Sequence, residues 1–160
     1  VVQVGGGVGL SSVAAAEAVG AQGRAITYEA SEQQVEAIKE TLRLNDKTWR
    51  DRAPVHVRHG IVGEAVKIEA DSGDPATVSL NELPECEVFA LDCEGAELGI
   101  IRSMSMRPRI IVVETHGWLG SATNDVRSVL EESGYEIVDE IPERPDRDNY
   151  VLVGRSHDGE

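Results

Sequence analysis

The sequence predicts an α/β fold built on a mostly parallel sheet, with helices on both faces and the last strand antiparallel. Three observations predict it. Short apolar runs alternate with segments of helical period through most of the 160 residues, the pattern that crossover helices between parallel strands produce. Val88-Phe89-Ala90-Leu91 is apolar without interruption, as a strand buried on both faces is. The last two strand-like runs are joined by a charged turn instead of a helix, and such a turn joins antiparallel neighbours. The order reads βαβαβ, a β insert, then βαβαββ, which is seven strands besides the insert.

The elements follow in order. Val1–Val4 is the first strand, and four glycines in Gly5–Gly9 turn the chain into an Ala-rich helix, Leu10–Val19. Gly20 and Gly23 end that helix. Arg24–Tyr28 alternates as a strand and ends on Glu29. Ser31 with Gln34 three residues on reads as a capping box. Val35, Ile38 and Leu42 then put one apolar face on a second helix, which ends near Asn45. Pro54–Arg58 is the third strand, broken by His59-Gly60, and Glu64–Ala70 alternates as a half-exposed extra strand. Val78–Leu83 includes a short helical turn before Val88–Leu91. A helix runs from Glu94-Gly95-Ala96-Glu97 to about Met104, and Arg109–Val113 is the next apolar strand. Thr123 or Asn124 caps the helix Val126–Glu132, which Gly134 ends. Tyr135–Ile141 and Tyr150–Val153 close the sheet across the turn Pro142–Asn149.

Length and hydrophobic content (41%) suit one domain with one core. We expect residues 1–160 to be that domain, lacking an N-terminal segment of the natural chain, because the sequence opens inside a strand without Met. No run approaches a membrane span, no signal peptide precedes the first strand, and two cysteines without metal spacing fit free thiols in a cytoplasmic protein. Fifteen basic against 29 acidic residues leave a net charge of −14. Nucleic-acid backbone is therefore not the expected partner. With lysine reduced to Lys39, Lys47 and Lys67, the balance points to a halophilic surface.

The glycine loop carries the first chemistry. Gly5, Gly7 and Gly9 give G-x-G-x-G, while Leu10 stands where a dinucleotide fingerprint has its third glycine. This spacing is typical of sites for S-adenosyl-L-methionine (SAM). Glu29 at the end of the second strand is placed to accept both hydroxyls of a ribose. His59 and Gly60, after the third strand, and Ala30 are placed for the adenine by topology. Asp92 ends a central strand at the carboxyl edge, where ligands bind in such sheets. Glu114 and His116 end the neighbouring strand. His116 is the candidate general base, with Asp92 or Glu114 orienting it. Glu97 reads as a first-turn acid serving the helix dipole or the surface, and Trp118 as a lining of the acceptor pocket. Asp92, Glu94, Glu114 and His116 have donor types that suit Mg or Mn, but their spacing matches no metal motif, and no metal is assigned.

These residues resemble the FkbM-type SAM-dependent methyltransferases. The resemblance runs through VGGGVGL, YEAS, LRLN, TVSLNEL, LDCEGAEL, IIVVETHG, ESGYEIV and YVLVGR, and LDCEGAEL followed by a strand ending in ETH is its most specific part. It implies a Rossmann-like class I methyltransferase fold, SAM as cofactor, and O-methylation of a hydroxyl on a sugar, glycan or small metabolite. Three positions depart from the family pattern: Gln3 replaces an acid two positions before the first glycine, Ala30 replaces a Pro, and Ala90 replaces a Lys. Two rival readings are an NAD-dependent Rossmann oxidoreductase, which lacks its third glycine and any hydride-chemistry pair here, and a SAM-fold binding module without catalysis.

Overall fold

Four apolar runs become the parallel strands of a first unit, Val1–Val78, and four more build a second, Ser79–Glu160. The computed structural model describes residues 1–45, 51–63 and 75–157. The first unit runs β1 (Val2–Val4), α1 (Leu10–Val19), β2 (Ala25–Glu29), α2 (Glu32–Asn45), β3 (Val55–Val62) and β4 (Ala76–Val78). β1 pairs with β2, β2 with β3 and β3 with β4, all parallel. β1 is buried throughout, and α1 packs Val13 and Ala16 inward. α2 buries Val35 and Ile38 with the expected period, and a buried Ile contributes about 1.5–3 kcal/mol.

Ser31 Oγ accepts the Gln34 N–H at 3.3 Å, but the Ser31 N–H goes to Glu29 Oε1 at 2.9 Å and not to Gln34. The expected capping box is therefore half built, because a buried acid closer in the chain takes the second donor.

β3 corrects a boundary. His59-Gly60 does not break the strand; β3 continues to Val62 because β4 pairs alongside Gly60–Val62. A Cβ on Gly60 would stand 2.9 Å from the Ala76 carbonyl oxygen, so the glycine admits β4 instead of ending β3. β4 adds an edge strand to the expected seven. The half-exposed strand read at 64–70, and Trp49, lie outside the described residues.

The second unit runs β5 (Val88–Leu91), α3 (Glu97–Ser103), β6 (Ile110–Glu114), α4 (Thr123–Glu132), β7 (Tyr135–Arg144) and β8 (Asn149–Ser156). A 3-10 turn, Leu80–Glu82, precedes them with a complete Ser79/Glu82 capping box. β5 and β6 are parallel, and β8 runs antiparallel between β6 and β7. Phe89, Ile111, Val113, Val126, Leu130 and Leu152 are fully buried in this core.

Pro142 does not end β7, which reaches Arg144 with register shifts at Ile137/Asp139 and Pro142/Arg144. β7 pairs only with β8 among the described strands, so an imide without a donor is tolerated there. α4 starts earlier, at Thr123, with Ala122 as its cap residue and no side-chain cap. The Thr123 N–H goes instead to Asp148 Oδ2 at 3.1 Å, so the cap comes from the β7–β8 turn.

Candidate active site

In the first unit the chain leaves β1 through Gly5, Gly7 and Gly9 at φ 83°, 50° and 91°. At Gly9 a Cβ would also meet the Ile38 Cα at 2.9 Å, whereas at Gly7 it would meet nothing within 4 Å. Gly7 is thus the open side of the loop. Gly9 caps α1, and this helix end has no side-chain cap and no acid in its first turn. Its first N–H groups remain available to an anion. Val8 and Leu10, at 58% and 68% exposure, are large apolar side chains flanking Gly9.

Glu29 is buried, and it holds this loop. Its Oε2 accepts the Gly6 and Gly7 N–H groups at 2.9 and 3.2 Å, and its Oε1 accepts that of Ser31. The Gln34 amide, turned to donate, lies 3.0 Å from Oε1 and 3.2 Å from Oε2. A carboxylate offers about four lone-pair sites. Three backbone donors fix the group, and among the described residues Gln34 is the side-chain donor that an incoming hydroxyl would replace.

Gln3 is buried under the same loop. Its Nε2 donates to the Gly5 carbonyl at 2.9 Å and to Ser11 Oγ at 2.6 Å. Its Oε1 accepts Ser12 Oγ at 2.9 Å and Thr27 Oγ1 at 3.3 Å. The amide therefore ties β1, the loop, α1 and β2 together. His59 lies opposite Glu29 in the β2–β3 register, with Nε2 3.0 Å from the Ala30 carbonyl. Gly60 is buried within β3, where its packing against β4 explains it.

In the second unit four carboxylates gather around one imidazole. Asp92 follows β5 directly, Glu114 ends β6, and His116 follows two residues later. His116 is buried, at 3% exposure, and is not a loose surface histidine. Its Nδ1 is 2.9 Å from Glu97 Oε1. Its Nε2 faces Asp92 Oδ1 at 3.6 Å, Glu94 Oε2 at 3.7 Å and Glu114 Oε1 at 3.9 Å. The orienting partner is therefore Glu97, not Asp92 or Glu114. Glu97 is fully buried, which corrects its reading as a surface acid. Its Oε1 also accepts the Cys93 and Gly95 N–H groups at 3.0 and 3.2 Å.

Neighbouring loops shape this cluster. Glu94 has left-handed backbone, φ 51°, in a non-glycine residue, a strain of about 1–2 kcal/mol that concentrates at functional sites. Gly95 follows at φ 98°, where a Cβ would stand 2.6 Å from the Leu119 carbonyl oxygen. Buried Asn149 donates to Glu114 Oε1 at 2.9 Å and to the Thr115 carbonyl at 2.8 Å. Trp118, half exposed, meets the His116 ring edge-on at 5.2 Å between centroids.

The electrostatics follow from crowding. Partial burial of the half-exposed Asp92 carboxyl pushes it up to about 7, with repulsion from Glu114 adding to it and His116 opposing. Burial also pushes Glu97 up, but hydrogen bonds from His116 and the backbone outweigh it and hold the group at about 2. Burial alone would lower the His116 imidazole; the hydrogen bond and charge of Glu97, with Glu94 and Asp92, raise it instead. Burial and the same acids push the Cys93 thiol far up, which leaves it no nucleophile. Asp92, Glu114 and His116 each offer one ligand atom, and these atoms lie within 4.8 Å of one another.

A parallel α/β sheet with G-x-G-x-G after β1 and an acid ending β2 defines a class I SAM-dependent methyltransferase domain. Solved structures share this fold. A Bacillus cereus O-methyltransferase in complex with S-adenosylhomocysteine matches 97% of this chain and 73% of its own at 16% identity and TM-score 0.62. The Methanococcus jannaschii fibrillarin pre-rRNA processing protein matches 97% and 65% at 14% and 0.67. A Geobacter metallireducens precorrin-6y C5,15-methyltransferase matches 97% and 79% at 16% and 0.64. The chain thus spans about two thirds to four fifths of these relatives. No curated protein matches it by sequence. The model of the methyltransferase FkbM domain matches residues 3–137, and the chain belongs to that family.

SAM fits the first unit. The open side at Gly7, the uncapped end of α1 and a fixed Glu29 carboxylate suit its amino-acid tail and ribose. Sequence reasoning missed Glu97 as partner of His116 and Asn149 as partner of Glu114. The segment LDCEGAEL held the only signal for the first; no local pattern marked the second.

Proposed function

We propose that this domain transfers the methyl group of SAM to the oxygen of a hydroxyl on a sugar, glycan or small metabolite. SAM supplies a methyl on a sulfonium, a strong leaving group. Gly5, Gly7 and Gly9 leave room for its amino-acid portion, Glu29 accepts its ribose hydroxyls in place of Gln34, and Ala30 and His59 border the adenine, while Gly60 serves the packing of β4. The chain's remaining task is to receive the hydroxyl proton and hold the oxygen in line. Asp92 and Glu114 serve there with His116. Asp92 is 45% exposed against 3% for His116, so Asp92 meets the hydroxyl and His116 acts behind it. One observation carries this reading: two carboxylates at the carboxyl ends of β5 and β6 converge on one buried imidazole.

A net charge of −14 favours a neutral or cationic acceptor over an RNA phosphate backbone. The acidic, lysine-poor surface fits a halophilic cytoplasm. Calorimetry with SAM and with NAD, then turnover to S-adenosylhomocysteine over glycan and small-hydroxyl acceptors, tests the function. Binding of SAM with turnover on a hydroxyl is the expected result. NAD binding without SAM binding refutes it, and SAM binding without turnover on any hydroxyl supports the non-catalytic module.

A further inference from the structure

We propose that Asn149 is a positioning residue for this site: its side-chain amide holds one oxygen of Glu114 and so turns the other toward the acceptor hydroxyl. The inference rests on the methyltransferase reading for what Glu114 meets, and on geometry alone for the hold.

The sheet register brings the two side chains together. Glu114 ends β6 and pairs with Val151 of β8. Asn149 lies two residues before Val151, so both project from the same face of β8. Asn149 is thus the diagonal neighbour of Glu114 across an antiparallel pair, a separation that longer side chains span. The turn that delivers Asn149 is fixed by other bonds. The Asp148 carbonyl accepts the Gly117 N–H at 3.1 Å, and Asp148 Oδ2 accepts the Thr123 N–H at 3.1 Å. Thr115 Oγ1 accepts the Tyr150 N–H at 3.0 Å. Asn149 therefore sits between two residues already tied to the loop after β6.

Both hydrogens of the amide nitrogen are used at this strand end. One goes to Glu114 Oε1 at 2.9 Å and the other to the Thr115 carbonyl at 2.8 Å. Asn149 is 2% exposed, so solvent does not compete for either. Glu114 needs such a hold. Its carboxylate shares the surroundings of His116 with Asp92 and Glu94, and like charges drive it outward. Among the described residues no lysine or arginine pairs with it. A neutral amide aims the carboxylate without neutralising it. Oε1 is taken by Asn149 and lies 3.9 Å from His116 Nε2, which leaves Oε2 for the acceptor. Misplacing a reacting group by about 1 Å costs up to about a hundredfold in rate, so the anchor bears on turnover although it never touches the acceptor.

The test uses Asp92 as reporter. Its carboxyl faces Glu114, His116, Glu94 and Glu97, and Glu114 repels it. In Asn149→Ala the Glu114 carboxylate swings outward. Asp92 should then ionise about one pH unit below its value of about 7, as it should in Glu114→Gln. Carbon-13 NMR of the carboxyl, assigned with Asp92→Asn, reads this without SAM or acceptor. Thermal melts check the fold, and Asn149→Ser, whose hydroxyl is too short to span the gap, is the second variant. A further measurement leaves position 149 intact. In Glu114→Gln one side-chain N–H resonance of Asn149 should move, while the one bonded to the Thr115 carbonyl stays. Turnover to S-adenosylhomocysteine completes the test. Asn149→Ala should lower kcat about ten- to hundredfold in the wild-type background. In the Glu114→Gln background it should lower kcat less than about threefold, because its effect passes through Glu114. KM for SAM should not change in either. An unmoved Asp92 titration, unmoved amide resonances or equal losses in the two backgrounds overturn the inference and make Asn149 a structural tether only. A shifted Asp92 titration without turnover on any hydroxyl removes the methyltransferase reading and leaves the hold on Glu114.

Discussion

Restoring the acid that the family pattern places before the glycine loop should damage this protein. In Gln3→Glu the new carboxylate still accepts from Ser12 and Thr27, and the Ser11 hydroxyl can turn to donate. The Gly5 carbonyl cannot adapt. It loses its 2.9 Å donor and faces a negative oxygen at that distance. An unsatisfied buried acceptor costs about 1–3 kcal/mol. Burial of the charge adds to this, and the α1 N-terminus offsets about 0.3–1 kcal/mol. We expect a net loss of about 2–3 kcal/mol near neutral pH. The sign of the pH dependence follows. The introduced carboxyl is disfavoured when charged, so its pKa in the folded protein is raised above the ordinary carboxylate value. The variant is closest to wild type in acid, where the protonated group donates to Gly5, and falls behind as pH rises. Urea denaturation of both proteins across pH measures this directly. Equal stability at neutral pH, together with tighter SAM binding in the variant, would refute the tethering role and make Gln3 a diminished cofactor contact.

Three further outcomes are expected. Glu29→Ala should weaken SAM at least about tenfold, or about 1.4 kcal/mol, and also lower the melting temperature, since Gly6, Gly7 and Ser31 lose their acceptor; unchanged calorimetric affinity removes the ribose role. Glu97→Ala should cost about 3–5 kcal/mol by stranding two N–H groups and His116, whereas Glu97→Gln, which keeps an acceptor oxygen, should cost less; equal losses in guanidinium melts contradict this. Because Glu97 is held at about 2 against an ordinary 4.5, its contribution of about 3 kcal/mol is present above pH 4.5 and lost as pH falls through 2, so that the gap between wild type and Glu97→Gln narrows in acid. A halophilic surface predicts a higher melting temperature in molar KCl than in dilute buffer, and identical melts contradict it.

The sheet was legible where one residue pattern had one explanation. An apolar run ending in glycines and leading into alanines reads as strand, turn and helix, and β1 and α1 stand where that reading puts them, as β5 stands on the uninterrupted apolar run Val88–Leu91. The errors came where a residue served a distant neighbour. Gly60 reads as a break, yet it is there for a carbonyl 16 residues further on. Pro142 reads as a stop, yet β7 has a side where a missing donor is harmless. Glu97 has an adequate local explanation in the helix dipole, and that explanation hid a partner 19 residues away. Asp92, Glu114 and His116 could be named from strand ends; the hydrogen bonds that aim them could not, because side-chain pairing over such separations leaves no period in the chain.

The clasp between Glu29 and the glycine loop has a consequence for how a cofactor arrives. Gly6 and Gly7 give their N–H groups to a buried carboxylate of the protein itself, so the curvature of the loop belongs to the folded chain and does not wait for a guest. Ordering a flexible glycine turn at the moment of association would subtract its lost backbone freedom from the affinity. Here that ordering is complete on folding, and a visiting nucleoside meets a receptor already in its final shape. The amide hydrogens of Gly6 and Gly7 are accordingly sheltered from exchange with solvent before any encounter.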